Sequence, residues 1–345
     1  MDFKMSQVTK KDNILIALTM GDPSGIGYEI ILKGYSKFKK KPYRVIVIGN
    51  YRFLRKKAKK MGLSMDFHLV DDSSEFKLFP NMLNLIDLDI LPEDILLGSP
   101  DKEAGKASYE YIKKAVSLAI MGKVSAITTG PINKKALALA GLTFAGHTEI
   151  LAKLTGSQNY AMMLMGGNIK VVLVSTHIAL SEVKKFIKKE RIYKIITLAN
   201  RSLKLFGIKT PHIAVAGLNP HAGDGGIFGK EDTEEILPAV EMARQNNIDV
   251  TGPHPADALF VKAKKGDFDA VVVMYHDQGL IPVKMEAFGK GVNVTLGLSI
   301  IRTSVDHGTA YDIVGKGVSS PSSLIEALDV AAELATIKKK GSYNC

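Results

Sequence analysis

The sequence predicts an α/β fold built on a mainly parallel sheet. Short apolar, β-branched runs recur along the chain without the strict alternation of a half-exposed strand, the mark of parallel strands buried on both faces. Stretches with helical spacing separate these runs, as crossover connections require. Three of the runs also end in a histidine: Val171-Val-Leu-Val-Ser-Thr-His177, Ile213-Ala-Val-Ala-Gly-Leu-Asn-Pro-His221 and Ala270-Val-Val-Val-Met-Tyr-His276. Ligands in open α/β sheets gather at the carboxyl ends of strands.

The first strand is expected at Ile14 to Leu18, followed by the loop Met20-Gly-Asp-Pro-Ser-Gly-Ile-Gly27 and a helix from about Tyr28 carrying Ile30 and Ile31. Glycines at 21, 25 and 27 allow tight turns and close approach of a ligand to the helix start. A second strand, Val45 to Ile48, ends in Gly-Asn without G-x-G-x-x-G, so a standard dinucleotide fold is disfavoured. Residues 71–103 read as irregular. A helix follows with a buried stripe at Ile112, Ala115, Val116, Ala119 and Ile120. Ser125 to Thr129 forms the next strand, and AGHTEILAKL opens another helix with His147 and Thr148 near its start. That position suits binding of a phosphate or carboxylate, and equally suits Thr148 as an ordinary cap. Strands and helices then alternate from about 171 to 300. A helix at 321–337 returns to the first domain, taken as 12–140 plus 290–345, with 141–289 as the second.

With 345 residues, 46% hydrophobic and 23% charged, the chain has room for two domains and a sizeable core. The single cysteine, Cys345, permits no intrachain disulfide and no thiolate cluster. The polar start MDFKMSQVTKKDN lacks the apolar region of a signal peptide, and no window is apolar over the length needed to span a bilayer. A cytoplasmic protein without membrane partners is expected. The net charge of +11 comes from lysine runs such as RFLRKKAKK and KKFIKKER. Trp is absent and no nucleic-acid motif accompanies the runs, so they read as solvated helix faces, and no nucleic-acid partner is expected.

A divalent metal is the simplest partner that would need all three imidazoles at equivalent strand ends. A lone histidine at a strand end is commonly just a hydrogen-bonded polar residue, and the chain holds eight. Their common placement is what favours a ligand set. Downstream of His276, Lys284 and Arg302 flank glycine-rich turns, as expected where cations hold an anion. The segment Ser304-Val-Asp-His307-Gly-Thr-Ala-Tyr-Asp312 is suited to wrap an adenosine group.

The ordered combination MGDPSGIGYEI, TGPINKKAL, GHTEILA, STHIALSEV, GLNPHAGDGGIFGKED, PADALF, YHDQGLIPVK and RTSVDHGTAYDI resembles the 4-hydroxythreonine-4-phosphate dehydrogenases of pyridoxal phosphate biosynthesis from about residue 14 to 330. The resemblance implies an isocitrate/isopropylmalate dehydrogenase-like fold, with two α/β/α domains flanking a cleft, and a homodimer with the active site shared between subunits. It implies NAD, a divalent metal (zinc, magnesium or cobalt) and oxidation of a small phosphorylated amino acid, 4-phosphooxy-L-threonine. His177, His221 and His276 correspond to metal ligands, and His147, Thr148, Lys284, Asn293 and Arg302 to substrate contacts. More loosely, Gly21, Asp22, Gly25 and Gly27, with His307, Gly308 and Asp312, correspond to cofactor loops. The chain departs from the family pattern at Gly252-Pro-His254-Pro-Ala-Asp257-Ala258, where His254 is unusual and Ala258 lacks a hydroxyl; His254 is not assigned to the metal. The rival within the enzymes is a dehydrogenase for D-threonate or D-erythronate 4-phosphate. A metal-dependent aldolase or isomerase would need no NAD.

Overall fold

The computed structural model describes residues 14–92 and 94–341. The polar start at 1–13 and Cys345 lie outside the described residues. Among those described, the strands run in chain order as β1 (Leu15–Thr19), β2 (Arg44–Gly49), β3 (Phe67–Leu69), β4 (Leu83–Asp87), β5 (Ala126–Thr129), β6 (Ala161–Gly166), β7 (Ile169–Leu173), β8 (Ile213–Ala216), β9 (Val250–His254), β10 (Ala270–Val273), β11 (Val292–Leu296) and β12 (Arg302–Val305). The chain divides into two compact units: residues through Gln158 with Leu298–Thr336, and Asn159–Gly297 with the residues from Ile337.

In the first unit the strand order is β3-β4-β2-β1-β5-β12, every described pair parallel. Ile16, Leu18, Ile46, Ile48 and Ile127 are fully buried, which is why these strands read as unbroken apolar runs. Helices Gly27–Phe38, Lys102–Ile120 and Ser322–Lys339 contribute Ile30, Ile31, Tyr111, Ile112, Leu324 and Leu328 to the same core. The stretch 71–103 is not wholly irregular: it contains β4, which pairs with β2 and β3 and hides Leu83 and Leu85. Helix Tyr51–Lys60 buries Phe53, Leu54 and Ala58 and leaves most of its cations outward, consistent with a solvated lysine face.

The second unit runs β11-β6-β7-β10-β8-β9. Here β7, β10, β8 and β9 are parallel, whereas β6 lies antiparallel to both β7 and β11. The division between units falls after Gln158 and Gly297, not near 140 and 290. Ile150 and Leu151 of helix His147–Thr155 are packed in the first unit's core, and β11 pairs with β6 of the second. His147 and Thr148 therefore belong to the first unit and Asn293 to the second, the reverse of the sequence-based division. No helix among the described residues is long and apolar enough to cross a membrane.

Candidate active site

Arg302 begins β12 beside β5, in register with Ile127, and is 2% exposed. It is a buried cation at the start of a strand. Its Nε (3.2 Å) and Nη2 (2.7 Å) both donate to Thr129 Oγ1. Burial pushes the guanidinium down to about 9, which leaves it charged at neutral pH. His147 opens helix His147–Thr155, whose cap position is Gly146 and not Thr148; no side chain caps this end. The N–H groups of its first turn are thus open to an anion. Burial first, then the charge of Arg302, push the His147 imidazole well below its ordinary 6.5, against the pull of a hydrogen bond to the Gly130 backbone. His147 Nε2 is shut off from solvent and has no hydrogen-bond partner. With Nδ1 as the donor to Gly130, Nε2 carries a lone pair and acts as an acceptor.

The two glycine-bearing loops meet in the same unit. Ile26 N donates to Thr309 O (3.0 Å), Tyr311 OH to Asp22 Oδ2 (2.6 Å), and Ser24 N to Asp22 Oδ1 (2.8 Å). A Cβ on Gly25 would lie 2.7 Å from Thr309 O, and Cβ atoms on Gly21 and Gly27 would strike Pro131 O and Met20 O. These three glycines have a packing reason that involves no cofactor. Asp22 is fully buried, and burial raises its carboxyl to about 6 although the Tyr311 and Ser24 hydrogen bonds oppose the rise. Ser24 Oγ, Ser99 Oγ and His307 Nε2 are buried without partners, and nothing stands within 4 Å of a Cβ on Gly308. Such a set of unused polar atoms beside an open glycine fits a dinucleotide. Asp312, in the turn Tyr311–Ile313, is exposed.

In the second unit β7, β10 and β8 are neighbours, so their three histidine-bearing turns emerge side by side. The rings of His177 and His276 are 5.5 Å apart between centroids. Two imidazoles bound at about 2.0–2.1 Å to one tetrahedral ion place their ring centres about 5 Å apart, so this pair fits a shared divalent cation. His276 Nδ1 lies 2.6 Å from Asp277 Oδ1, an arrangement that leaves Nε2 for a metal. His221 does not join the pair within the chain: among the described residues no three His, Cys, Asp or Glu side chains form a set that could hold a metal. Its loop is unusual in backbone terms, with His221, Ala222, Gly223, Asp224 and Gly225 all at positive φ. Lys284 stands on helix His276–Glu286, ahead of the glycine-bearing segment 288–291, and with His276, Leu280, Met285 and Phe288 it lines a pocket of about 410 Å³. Asn293 on β11 has a buried Oδ1 with no partner. His254 sits apart on β9, bonded to Thr251 Oγ1 (2.9 Å) and set against Phe268, so it belongs to neither group.

The structure thus joins His147 with Arg302, His177 with His276, and the MGDPSGIG loop with DHGTAYDI. The sequence reading missed Thr129 and Tyr311, which hold Arg302 and Asp22 from distant strands and loops. It also missed Glu29, which accepts from Gly315 N (2.5 Å) and Ser319 Oγ (2.8 Å). No local pattern announces such partners.

A family model described as pyridoxal phosphate biosynthetic protein PdxA matches residues 41–331. The chain is 48% identical over 333 residues to a 4-hydroxythreonine-4-phosphate dehydrogenase of Desulforapulum autotrophicum, covering 96% of this chain and 98% of that one. It is 44% identical over 324 residues to a D-threonate 4-phosphate dehydrogenase of Cupriavidus necator, covering 93% and 97%. The crystal structure of a 4-hydroxythreonine-4-phosphate dehydrogenase from Klebsiella pneumoniae is similar with a TM-score of 0.85 and 40% identity, over 94% of this chain and 100% of that chain.

Proposed function

The chain belongs to the pyridoxal phosphate biosynthetic protein PdxA family, and from that premise we propose that it oxidises 4-phosphooxy-L-threonine with NAD to 2-amino-3-oxo-4-phosphooxybutanoate, which loses carbon dioxide to give 3-amino-2-oxopropyl phosphate. The observation that carries this reading is a buried arginine beside a neutral histidine: Arg302 supplies fixed positive charge, and His147 supplies an unused acceptor. Arg302, held by Thr129, and the uncapped first turn containing Thr148 bind the phosphate. Neutral His147 is a poor clamp for a phosphate dianion, because its free nitrogen offers a lone pair. It accepts a hydrogen bond, and then a proton, from the substrate. Lys284 and Asn293 would add further polar contacts to the substrate.

When bound, a divalent ion (zinc, cobalt or magnesium) would supply acidification of the reacting hydroxyl, and NAD would supply the hydride acceptor. His177, His221 and His276 would hold the ion, while His307, Gly308 and Ser24 would contact the nucleotide. The enzyme acts as a homodimer, a second copy completing the metal site. Supporting this, large apolar side chains stand exposed close in sequence to all three histidines: Leu180 near His177, Phe228 near His221, and Met285 (82%) and Phe288 (91%) after His276.

A second reading, oxidation of D-threonate 4-phosphate, has its own support, because relatives of that name match at similar identity. The two substrates share a phosphate and a secondary hydroxyl and differ in an amino or hydroxyl group at the neighbouring carbon. Parallel assays of NADH formation with both substrates, with and without chelator, decide between them. Activity with 4-phosphooxy-L-threonine that is lost on chelation and restored by metal is expected. Turnover of D-threonate 4-phosphate alone would replace the first reading by the second, and turnover of neither would remove both.

A further inference from the structure

At the ends of β7, β10 and β8 the ladder of backbone hydrogen bonds stops, and buried side chains take over. Val174 N still bonds Val273 O (2.9 Å), as a sheet does. One residue further, Ser175 Oγ donates to Met274 O (2.6 Å), and Met274 N donates to Gln278 Oε1 (2.7 Å). The other end of the same amide, Gln278 Nε2, donates to Gly217 O (2.6 Å). Asp232, fully buried, then accepts from Leu218 N (2.8 Å) and Asn219 N (3.2 Å). Ser175 is 2% exposed and Gln278 9% exposed. A continuous polar seam therefore runs from the turn of His177, through the peptide before His276, to the loop of His221.

We propose that Gln278 is a positioning residue that, with Ser175, fixes the spacing of the turns carrying His177, His221 and His276. The chemistry of the side chain is specific to this task. A primary amide offers one acceptor and one donor on a rigid plane, which is what Met274 N and Gly217 O require. Glutamate turns a second oxygen toward the Gly217 carbonyl, and leucine leaves both groups unpaired. There is no room for the helix start to move inward, since a Cβ on Gly279 would lie 2.8 Å from Val273 Cγ2. His276 begins the helix that Gln278 anchors, so the imidazole follows the amide's placement. The inference rests on the metal role of these histidines proposed above.

The test compares wild type, Gln278→Leu and Gln278→Glu as full-length protein, using cobalt(II) as the metal probe. Affinity and the visible absorption of bound cobalt are followed by titration, and the global fold by thermal unfolding. In Gln278→Leu, cobalt affinity should fall about ten- to hundredfold with an altered cobalt spectrum while unfolding stays cooperative, the loss typical of removing a residue that orients ligands. In the metal-free proteins, amide exchange over residues 217–223 should accelerate in both variants. Exchange of the Met274 amide should accelerate in Gln278→Leu alone, because Glu retains the acceptor. If Gln278→Leu does not fold, Gln278→Glu carries the same measurements. Wild-type cobalt affinity and spectrum in a folded variant overturn the positioning role. Wild-type protein that takes up no cobalt overturns the metal reading and this role with it, and is recognised before any substitution is made.

Discussion

Replacing Asp22 by Asn should remove a pH-dependent cost from the native state. Asp22 is fully buried between the Ser24 amide and the Tyr311 hydroxyl, and burial dominates both hydrogen bonds in raising its carboxyl from 3.8 to about 6. Between those two values the native chain holds a proton that the unfolded chain has released, so stability falls as pH rises through this window and stays low above it. The difference corresponds to about 3 kcal/mol at neutral pH and above, and to little at about pH 4. Asn keeps the geometry, accepting from Ser24 N through Oδ1 and donating to the Tyr311 oxygen through Nδ2, but it does not ionise. Urea unfolding of wild type and Asp22→Asn at about pH 4 and about pH 8 should therefore show the variant gaining roughly 2–3 kcal/mol on wild type between the two conditions. Parallel stability curves across that range would refute the control of this carboxyl by burial.

Three further predictions concern activity. Arg302→Met should raise KM for the phosphorylated substrate by about ten- to hundredfold, the value of a charged hydrogen bond, and an unchanged KM in steady-state NADH assays would count against the phosphate role. Because the His147 imidazole lies well below 6.5, kcat should show no acid limb from this residue near 6.5, and His147→Gln should lower kcat more than KM; a limb at 6.5 that vanishes in the variant would contradict the neutral ring. His221→Ala should abolish retention of metal and NADH formation together, and full activity after chelator washing would dismiss its ligand role.

The strands and their histidines were legible because buried parallel strands write continuous apolar runs into the sequence. The antiparallel hairpin β6–β7 was not read, although its two-residue turn Gly167–Asn168 carries a signal for it; the methionine-rich run before the turn does not have the β-branched character of the other strands. Helix His276–Glu286 contradicts its local propensities: Gly279 and Pro282 argue against it, and burial of Leu280 and Val283 overrides them. What no reading of one segment reveals is pairing across the chain, as between Asp22 and Tyr311 or Gln278 and Gly217. These contacts depend on the fold having first brought the segments together.

The two sets of proposed ligands differ in how complete one chain makes them, and this separates their dependence on assembly. Arg302 is buried and held by Thr129 of its own chain, so its positive charge is in place before any second copy binds. His177 and His221 are exposed, and the large apolar side chains close in sequence to the histidines are exposed as well. Introducing a charge there, as in Phe288→Asp, should oppose association of two copies while leaving the chain folded, since a side chain 91% exposed contributes little to the core. Such a variant should elute as a monomer and lose metal retention, yet still bind inorganic phosphate in calorimetry with near wild-type affinity. Retained metal in a monomeric variant would show that one chain suffices to hold the ion, and would leave the second copy without a role at the metal.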